Sequence, residues 1–348
     1  TVVSFRFGGE AAKTERNNET SGGATPLLTT PPERLRLAIV IKDVFVLTQS
    51  QREARRVIPG IPLTDLTMML VVLIWGANFS VVKITMMQIS PLAFAAIRFT
   101  IASVVLLGIL RLREGAIVVP VGRHFWKMVL FGIIGNTCYQ ICFTIGLSIT
   151  TAANAALIIA MTPALIALFG AMLGVERITR KAIFGIFLAC SGVVFIVATH
   201  DLALSWHTLS GDLLMLGASL CWAIYTLGVR SIDRASSPLS ITALTMVAGA
   251  CGLVLIGIPD LLRTDWAAVN MTAWGGLGYA ALLGLVVAYF LWNNSVRLVG
   301  GNRTAIYGCA IPLVAALVAW PLLGEQLTVL QGIGAAMIVS GVLLTRRS

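Results

Sequence analysis

The stretch Asp65–Lys83, DLTMMLVVLIWGANFSVVK, returns as Asp212–Arg230, DLLMLGASLCWAIYTLGVR. Asp65, Trp75, Val82 and Lys83 meet Asp212, Trp222, Val229 and Arg230, each 147 residues on, and Pro91 meets Pro238 at the same offset. Farther along, the offset becomes 149: Gly135, Pro163, Glu176, Thr179, Gly185, Ser191 and Gly192 match Gly284, Pro312, Glu325, Thr328, Gly334, Ser340 and Gly341. A two-residue insertion between the second and third helices of the later copy accounts for the change. Both copies are intensely apolar. An internal repeat of membrane helices is the usual ground plan of a secondary transporter, with the substrate path between the repeats.

Composition supports the same reading. Of 348 residues, 57% are hydrophobic and 11% charged, with a mean hydropathy of +0.91. Soluble domains carry about 25% charged residues, so a soluble fold would need a very large core and almost no polar surface. The formal charge of +10 could suit nucleic acid, but its placement argues otherwise. Residues 1–60 hold nine Lys/Arg and six Asp/Glu, and the basic residues beyond them sit mostly at the ends of apolar stretches. That pattern signals topology, not a nucleic-acid patch. The six cysteines all lie inside apolar stretches, without Cys-x-x-Cys or a nearby His, and read as small packing residues and not as a metal site.

Residues 1–60 differ from the rest. Their best apolar run, Leu37–Leu47, contains Lys42 and Asp43 and is too short and too charged to span a bilayer. It starts late and lacks a clear cleavage site for a signal peptide. The stretch reads as a poorly ordered cytoplasmic extension. From residue 64, apolar segments predict helices near 64–84, 91–111, 125–147, 151–173, 181–199, 211–231, 238–258, 271–293, 303–323 and 328–345. Each is about 20 residues, enough to cross a bilayer. The fold class is therefore an all-α integral membrane protein, ten spans in two five-helix repeats over 64–199 and 211–345.

With a cytoplasmic N-terminus, Arg111, Arg113, Arg123, Lys127, Arg177, Arg180, Lys181, Arg230, Arg234, Arg297, Arg303, Arg346 and Arg347 fall inside, and only Lys83 and Arg263 fall outside. This follows the positive-inside rule and places both termini in the cytoplasm. Because five is odd, the second repeat must be inverted. The turns Gly174–Lys181 and Gly324–Thr328 show it: the first is basic, and the second has lost its basic residues.

Arg98 stands seven residues into the second span. A charge at membrane depth is expensive and faces a cavity or a partner. Either Arg98 is an anion clamp, for example on a carboxylate, or it bonds helix-end carbonyls or snorkels outward. Its repeat partner is Thr245, so the repeat does not require the charge. Asn78, midway along span one, needs a substrate or a neighbouring helix as partner. Trp222 and Tyr225 lie at the matching depth of span six, as cavity wall or as packing. Spans three and eight carry Asn136, Tyr139, Gln140, Phe143 and Tyr289, Trp292, Asn293, Asn294, some of which should line a path. Pro163 and Pro312 free backbone carbonyls at matched positions of spans four and nine, which suits kinked gating helices. The candidate substrate-binding set is Asn78, Arg98, Tyr139, Trp222, Tyr225 and Trp292.

Asp65, Glu176, Asp212 and Glu325 sit at span ends, and no acid lies mid-span. That disfavours a mid-membrane proton carrier and leaves a hydrophobic cation without a counter-charge. No phosphate loop, Ser/His/Asp set or His cluster is present, so neither an enzyme nor a cofactor is expected.

Trp75-Gly-Ala-Asn-Phe79 with Lys83, Ser90-Pro91, Ala96-Ile-Arg98-Phe99, Gly174-Val-Glu176-Arg-Ile-Thr179 and Gly324-Glu-Gln-Leu-Thr328 together resemble the EamA-like branch of the drug/metabolite transporter superfamily. The resemblance covers about 64–345. It implies ten helices in two inverted repeats, a central cavity, alternating access and small-metabolite substrates, often amino acids exported across the bacterial inner membrane. Efflux of drugs or hydrophobic cations is the alternative on the same fold. Expected partners are the bilayer and a small solute, with no nucleic acid.

Overall fold

The computed structural model describes residues 3–4, 56–58, 61–174, 179–197, 206–229, 231–232, 236–299, 307–308, 310–326 and 328–346. Most of the N-terminal extension, Glu176, Arg177, Arg230, Arg234, Arg303 and Cys309 lie outside the described residues. The chain divides into two units, Phe5–Leu66 and a second comprising Thr1–Ser4 with Thr67–Ser348. In the first, β2 (Arg56–Ile58) pairs antiparallel with β3 (Ile61–Pro62), directly before helix α1 (Leu63–Thr85). In the second, β1 (Val3–Ser4) pairs antiparallel with β4 (Val118–Val119).

The rest is helix. In chain order come α2 (Pro91–Glu114), α3 (Arg123–Gly132), α4 (Tyr139–Ile149), α5 (Ala152–Ile159), α6 (Thr162–Met172) and α7 (Arg180–Val197). Then follow α8 (Trp206–Val229), α9 (Pro238–Arg263), α10 (Met271–Gly278), α11 (Ala288–Val299), α12 (Ile311–Leu323) and α13 (Val329–Arg346). Among the described residues, seven helical stretches are long and apolar enough to cross a membrane: 64–85, 91–114, 123–149, 152–172, 209–229, 238–263 and 271–292. Three shorter apolar helices, Ile183–Phe195, Ile311–Leu323 and Val329–Leu344, lie at the other expected positions.

Local chemistry sets the helix starts. Ser237 and Asn270 accept the backbone N–H of Ser240 and Ala273 through their side chains, supplying orphan donors with partners. Pro91 and Pro238 occupy first-turn positions, where the missing N–H costs nothing. Gly115 and Gly324 end α2 and α12 in the left-handed conformation, at φ 72° and 69°, which residues with a Cβ adopt at a cost.

Three departures from the sequence expectation stand out. Span four does not bend at Pro163 but breaks: α5 stops at Ile159 and α6 restarts at Thr162, with Pro163 in its first turn. Span seven runs to Arg263, past Pro259. Spans three and eight each contain a π-helical segment, Ile133–Cys138 and Tyr279–Val287. Residues 133–138 correspond to 282–287 by the repeat offset, so the irregularity is shared. A π segment inserts an extra residue in the turn, which rotates the helix beyond it by about 100°. The residues so re-aimed are those after it, Tyr139, Gln140 and Phe143 in one repeat and Tyr289 and Trp292 in the other.

The exterior is apolar. On α12, Leu313, Leu317 and Trp320 are exposed on one stripe while Pro312, Ala315, Ala316 and Ala319 are buried on the other. Phe184, Phe187 and Val194 are likewise exposed on α7. In water such a surface would be a liability; against lipid it is the favourable arrangement, with small residues at the helix contacts.

Repeat-equivalent helices pack on one another: α7 on α13, and α2 on α9. They run antiparallel. A Cβ on Gly192 would lie 2.7 Å from the carbonyl oxygen of Gly334, and one on Gly341 would meet that of Gly185. Gly192 matches Gly341 and Gly185 matches Gly334, so one contact is the image of the other. A Cβ on Gly257, late in α9, would lie 3.1 Å from the carbonyl of Leu92, early in α2.

Candidate functional site

Arg98 on α2 is 3% exposed, and its Nε and Nη1 have no hydrogen-bond partner. It neither snorkels outward nor spends those two donors on helix carbonyls. Its Cζ instead lies 5.2 Å from the Phe94 ring centre, 5.6 Å from Phe99 and 6.0 Å from Phe143. Ring faces attract a cation but do not replace the hydrogen bonds a buried guanidinium has lost from water.

From Phe143 a continuous network of rings crosses the molecule. Phe143 stacks on Tyr139 at 5.7 Å and meets Phe79 edge-on at 5.6 Å. Tyr139 reaches Trp222 at 5.3 Å, and Trp222 reaches Tyr225 at 5.2 Å and Tyr289 at 5.7 Å. Tyr289 touches Trp75 at 5.6 Å, and Trp75 touches Trp292 at 5.1 Å. Of the six candidate residues, Tyr139, Trp222, Tyr225 and Trp292 are thus in one network with contributions from both repeats, and Arg98 joins it through Phe143.

Asn78 is 8% exposed, and its Oδ1 has no partner. A Cβ on Gly284 would lie 2.9 Å from that oxygen, so the glycine in the second π segment makes the room Asn78 occupies. The image holds in the other repeat: Gly135, equivalent to Gly284, abuts the ring of Tyr225, equivalent to Asn78. Tyr225 Oη lies 3.2 Å from Thr245 Oγ1, and Thr245 is the equivalent of Arg98. The second repeat satisfies this pair internally. The first repeat puts an amide and a guanidinium at the same two positions and leaves atoms of both unpaired.

Trp75, Phe143 and Tyr289 complete the network and were not among the six. Their signal was present: Trp75 is the repeat image of Trp222, and Tyr289 is that of Gln140. Asn136, expected among possible path residues, instead donates to the Thr245 carbonyl at 3.0 Å, while Thr137 donates to that of Gly249 at 2.9 Å. Both fasten the first π segment to α9. Among the described residues, no group of three His, Cys, Asp or Glu is placed to hold a metal ion.

The profile of the EamA-like transporter family matches this chain twice, over residues 62–198 and 209–347. The chain belongs to the EamA-like transporter family. Among its relatives, the uncharacterized transporter YyaM of Bacillus subtilis is 30% identical over 271 residues, spanning 77% of this chain and 88% of that protein. An uncharacterized transporter of Archaeoglobus fulgidus is 30% identical over 287 residues, 81% of this chain and 96% of the other. A Salmonella typhimurium protein named "Probable amino-acid metabolite efflux pump" is 25% identical over 281 residues, 79% of this chain and 91% of that one. A protein of known crystal structure shares the fold at a TM-score of 0.58 and 19% identity, covering 81% of this chain and 95% of that one.

This EamA-like transporter has a second polar cluster, at one end of the bundle. Lys83, at the end of α1, pairs with Glu325 at 3.1 Å and donates to the Thr150 carbonyl. Glu325 Oε1 and Oε2 also accept the backbone N–H of Ala152 and Ala153, at 2.9 and 3.1 Å. The carboxylate therefore caps α5, where the helix dipole favours a negative charge. Thr150 Oγ1 donates to Asp212 of α8. Gln331 of α13 donates to Asn154 of α5 at 2.6 Å. The cluster joins the end of α1 to the start region of α8, its repeat equivalent, so these two helices also run in opposite directions.

Proposed function

We propose that this transporter exports amino acids or related small metabolites across the bacterial inner membrane by alternating access. The observation that carries this reading is the buried, unpaired guanidinium of Arg98 beside an aromatic network drawn from both repeats. An unpaired buried cation is costly, and a carboxylate offers it bidentate, charge-assisted bonds of about 1.5–3 kcal/mol each. The name of the Salmonella relative points to the same solute class. The rings supply apolar wall for the remainder of the solute. Asn78, Tyr139, Trp222, Tyr225 and Trp292 complete the proposed site with Arg98. Efflux of hydrophobic cations fits less well, because the only charged group in the ring network is itself positive.

The proposed architecture is ten spans in two inverted five-helix repeats, 64–199 and 211–345, with both termini cytoplasmic. The antiparallel packing of equivalent helices supports it, as does the gathering of Lys83, Ala152, Asp212 and Glu325 at one end, which the alternation of ten spans places outside. On this reading the Lys83–Glu325 cluster holds the outer side closed in the state described. With no acid in mid-span, facilitated diffusion or exchange is favoured over proton antiport.

The test is overexpression of the chain with quantification of amino acids and small organic acids in the medium, against an empty vector. A selective rise in one carboxylate-bearing class, abolished by Arg98→Ala with the protein still in the membrane, is the expected result. An unchanged medium from the original chain, or full export by the Arg98→Ala variant, would sink the reading.

A further inference from the structure

We propose that Asn78 and Gln140 read an amino group next to the carboxylate taken by Arg98, so that the site prefers a zwitterion to the corresponding simple carboxylic acid. The inference rests on the reading of Arg98 as a carboxylate clamp and narrows its substrate class. Four buried side-chain atoms without partners carry it: Arg98 Nε and Nη1, Asn78 Oδ1 and Gln140 Oε1. The first two are donors and the last two acceptors. Asn78, Arg98 and Gln140 are 8%, 3% and 1% exposed. Buried polar groups in folded proteins find partners, and those that lack one call for an explanation. A simple carboxylate would answer only the arginine and leave both amide oxygens bare. A solute with an anionic group and an N–H donor on neighbouring atoms answers both kinds.

The repeat shows that Asn78 and Arg98 face one space. Their equivalents, Tyr225 and Thr245, are within hydrogen-bond distance at 3.2 Å, and the two helix pairs are images of each other. Gln140 lies on α4 less than one turn before Phe143, whose ring is 6.0 Å from Arg98 Cζ. Gln140 also directly follows the first π segment, and its equivalent Tyr289 bridges Trp75 and Trp222. The acceptors are neutral amides instead of carboxylates. A carboxylate there would neutralise Arg98 in the empty site and compete with the solute's own anion. An amide oxygen accepts from an ammonium without doing so.

The experiment uses the full chain in proteoliposomes and two probes, L-phenylalanine and 3-phenylpropanoate, which differ only in the amino group. Both carry a ring suited to the aromatic lining. Because a bond to a charged donor is worth about 1.5–3 kcal/mol, the unaltered chain should prefer phenylalanine by about tenfold or more. Gln140→Leu and Asn78→Leu should each bring that ratio down to about twofold, and Gln140→Glu, which keeps an acceptor, should retain the preference. Melting in detergent identifies any variant that fails to fold, and the remaining variants then decide. Equal transport of both probes by the unaltered chain, or folded leucine variants that keep the tenfold ratio, overturns the inference and leaves the carboxylate reading standing. An unaltered chain that moves phenethylamine and neither acid overturns both.

Discussion

Glu325→Ala should open the end of the bundle that bears Lys83. In the structure the carboxylate accepts Lys83 Nζ at 3.1 Å, Ala152 N at 2.9 Å and Ala153 N at 3.1 Å. The Lys83 and Glu325 side chains are 19% and 13% exposed, so these bonds are stronger than those of a surface pair and weaker than fully buried ones. A bond to a charged group contributes about 1.5–3 kcal/mol when buried, and a carboxylate at a helix N-terminus up to about 2 kcal/mol. Water can re-solvate part of what alanine leaves behind, which brings the net loss to about 3 kcal/mol. That is a shift of about 150-fold. An alternative conformation typically lies only a few kcal/mol above the dominant one, so a minor open state would become a major one. The assay is a pulsed electron-spin distance measurement between labels at Met87 and Val329, both well exposed, with the six native cysteines replaced. The original sequence should give one short distance, and Glu325→Ala should add a longer population. Lys83→Met should do the same to a lesser degree, because Glu325 keeps its two backbone donors. Unchanged distance distributions in both variants would refute the latch.

Three further outcomes follow from the packing. Gly341→Val should lower the melting temperature, since its side chain would meet the Gly185 carbonyl and Ala189; overpacking of this kind costs about 1–3 kcal/mol. Gly332→Val on the same helix, where nothing lies within 4 Å, is the control and should melt as the original does. Tyr225→Phe removes the bond to Thr245 and should cost about 1 kcal/mol of stability, read by chemical denaturation in detergent. Trp222→Ala cuts the ring network where Tyr139, Tyr225 and Tyr289 meet, and should reduce transport in proteoliposomes at least tenfold, an effect of the size that truncation of a central aromatic has at other binding surfaces.

Much of this was legible in the chain. The hydropathy of each segment and the charges between segments placed the helices to within a few residues, because a span must bury its backbone in its own hydrogen bonds. The repeat offset announced which helices would be images of each other. Polar residues at membrane depth were also readable, since Arg98 and Asn78 are costly there whatever surrounds them. What stayed hidden depends on tertiary register. No local signature marks the π segments at 133–138 and 279–287, yet they aim Tyr139, Gln140 and Tyr289. The break after Ile159 looked like a proline kink at Pro163, but the proline instead starts a new helix. Glu325 read as a loop acid at a span end. Its role as the cap of α5 joins residues 173 apart in sequence, which no spacing rule reaches. Asn136 and Gln140, polar neighbours in one stretch, also looked alike: one is bonded to α9 and the other has an unpaired oxygen, a difference set by the glycines opposite them.

The most direct test of the account is transport by purified chain in liposomes, comparing a labelled amino acid with its decarboxylated amine in the original protein and in Arg98→Ala. Arg98 is the anion site on this account, so the original should move the amino acid and exclude the amine, and Arg98→Ala should lose amino-acid transport by at least tenfold while remaining folded. Equal amino-acid transport by the two proteins would contradict it.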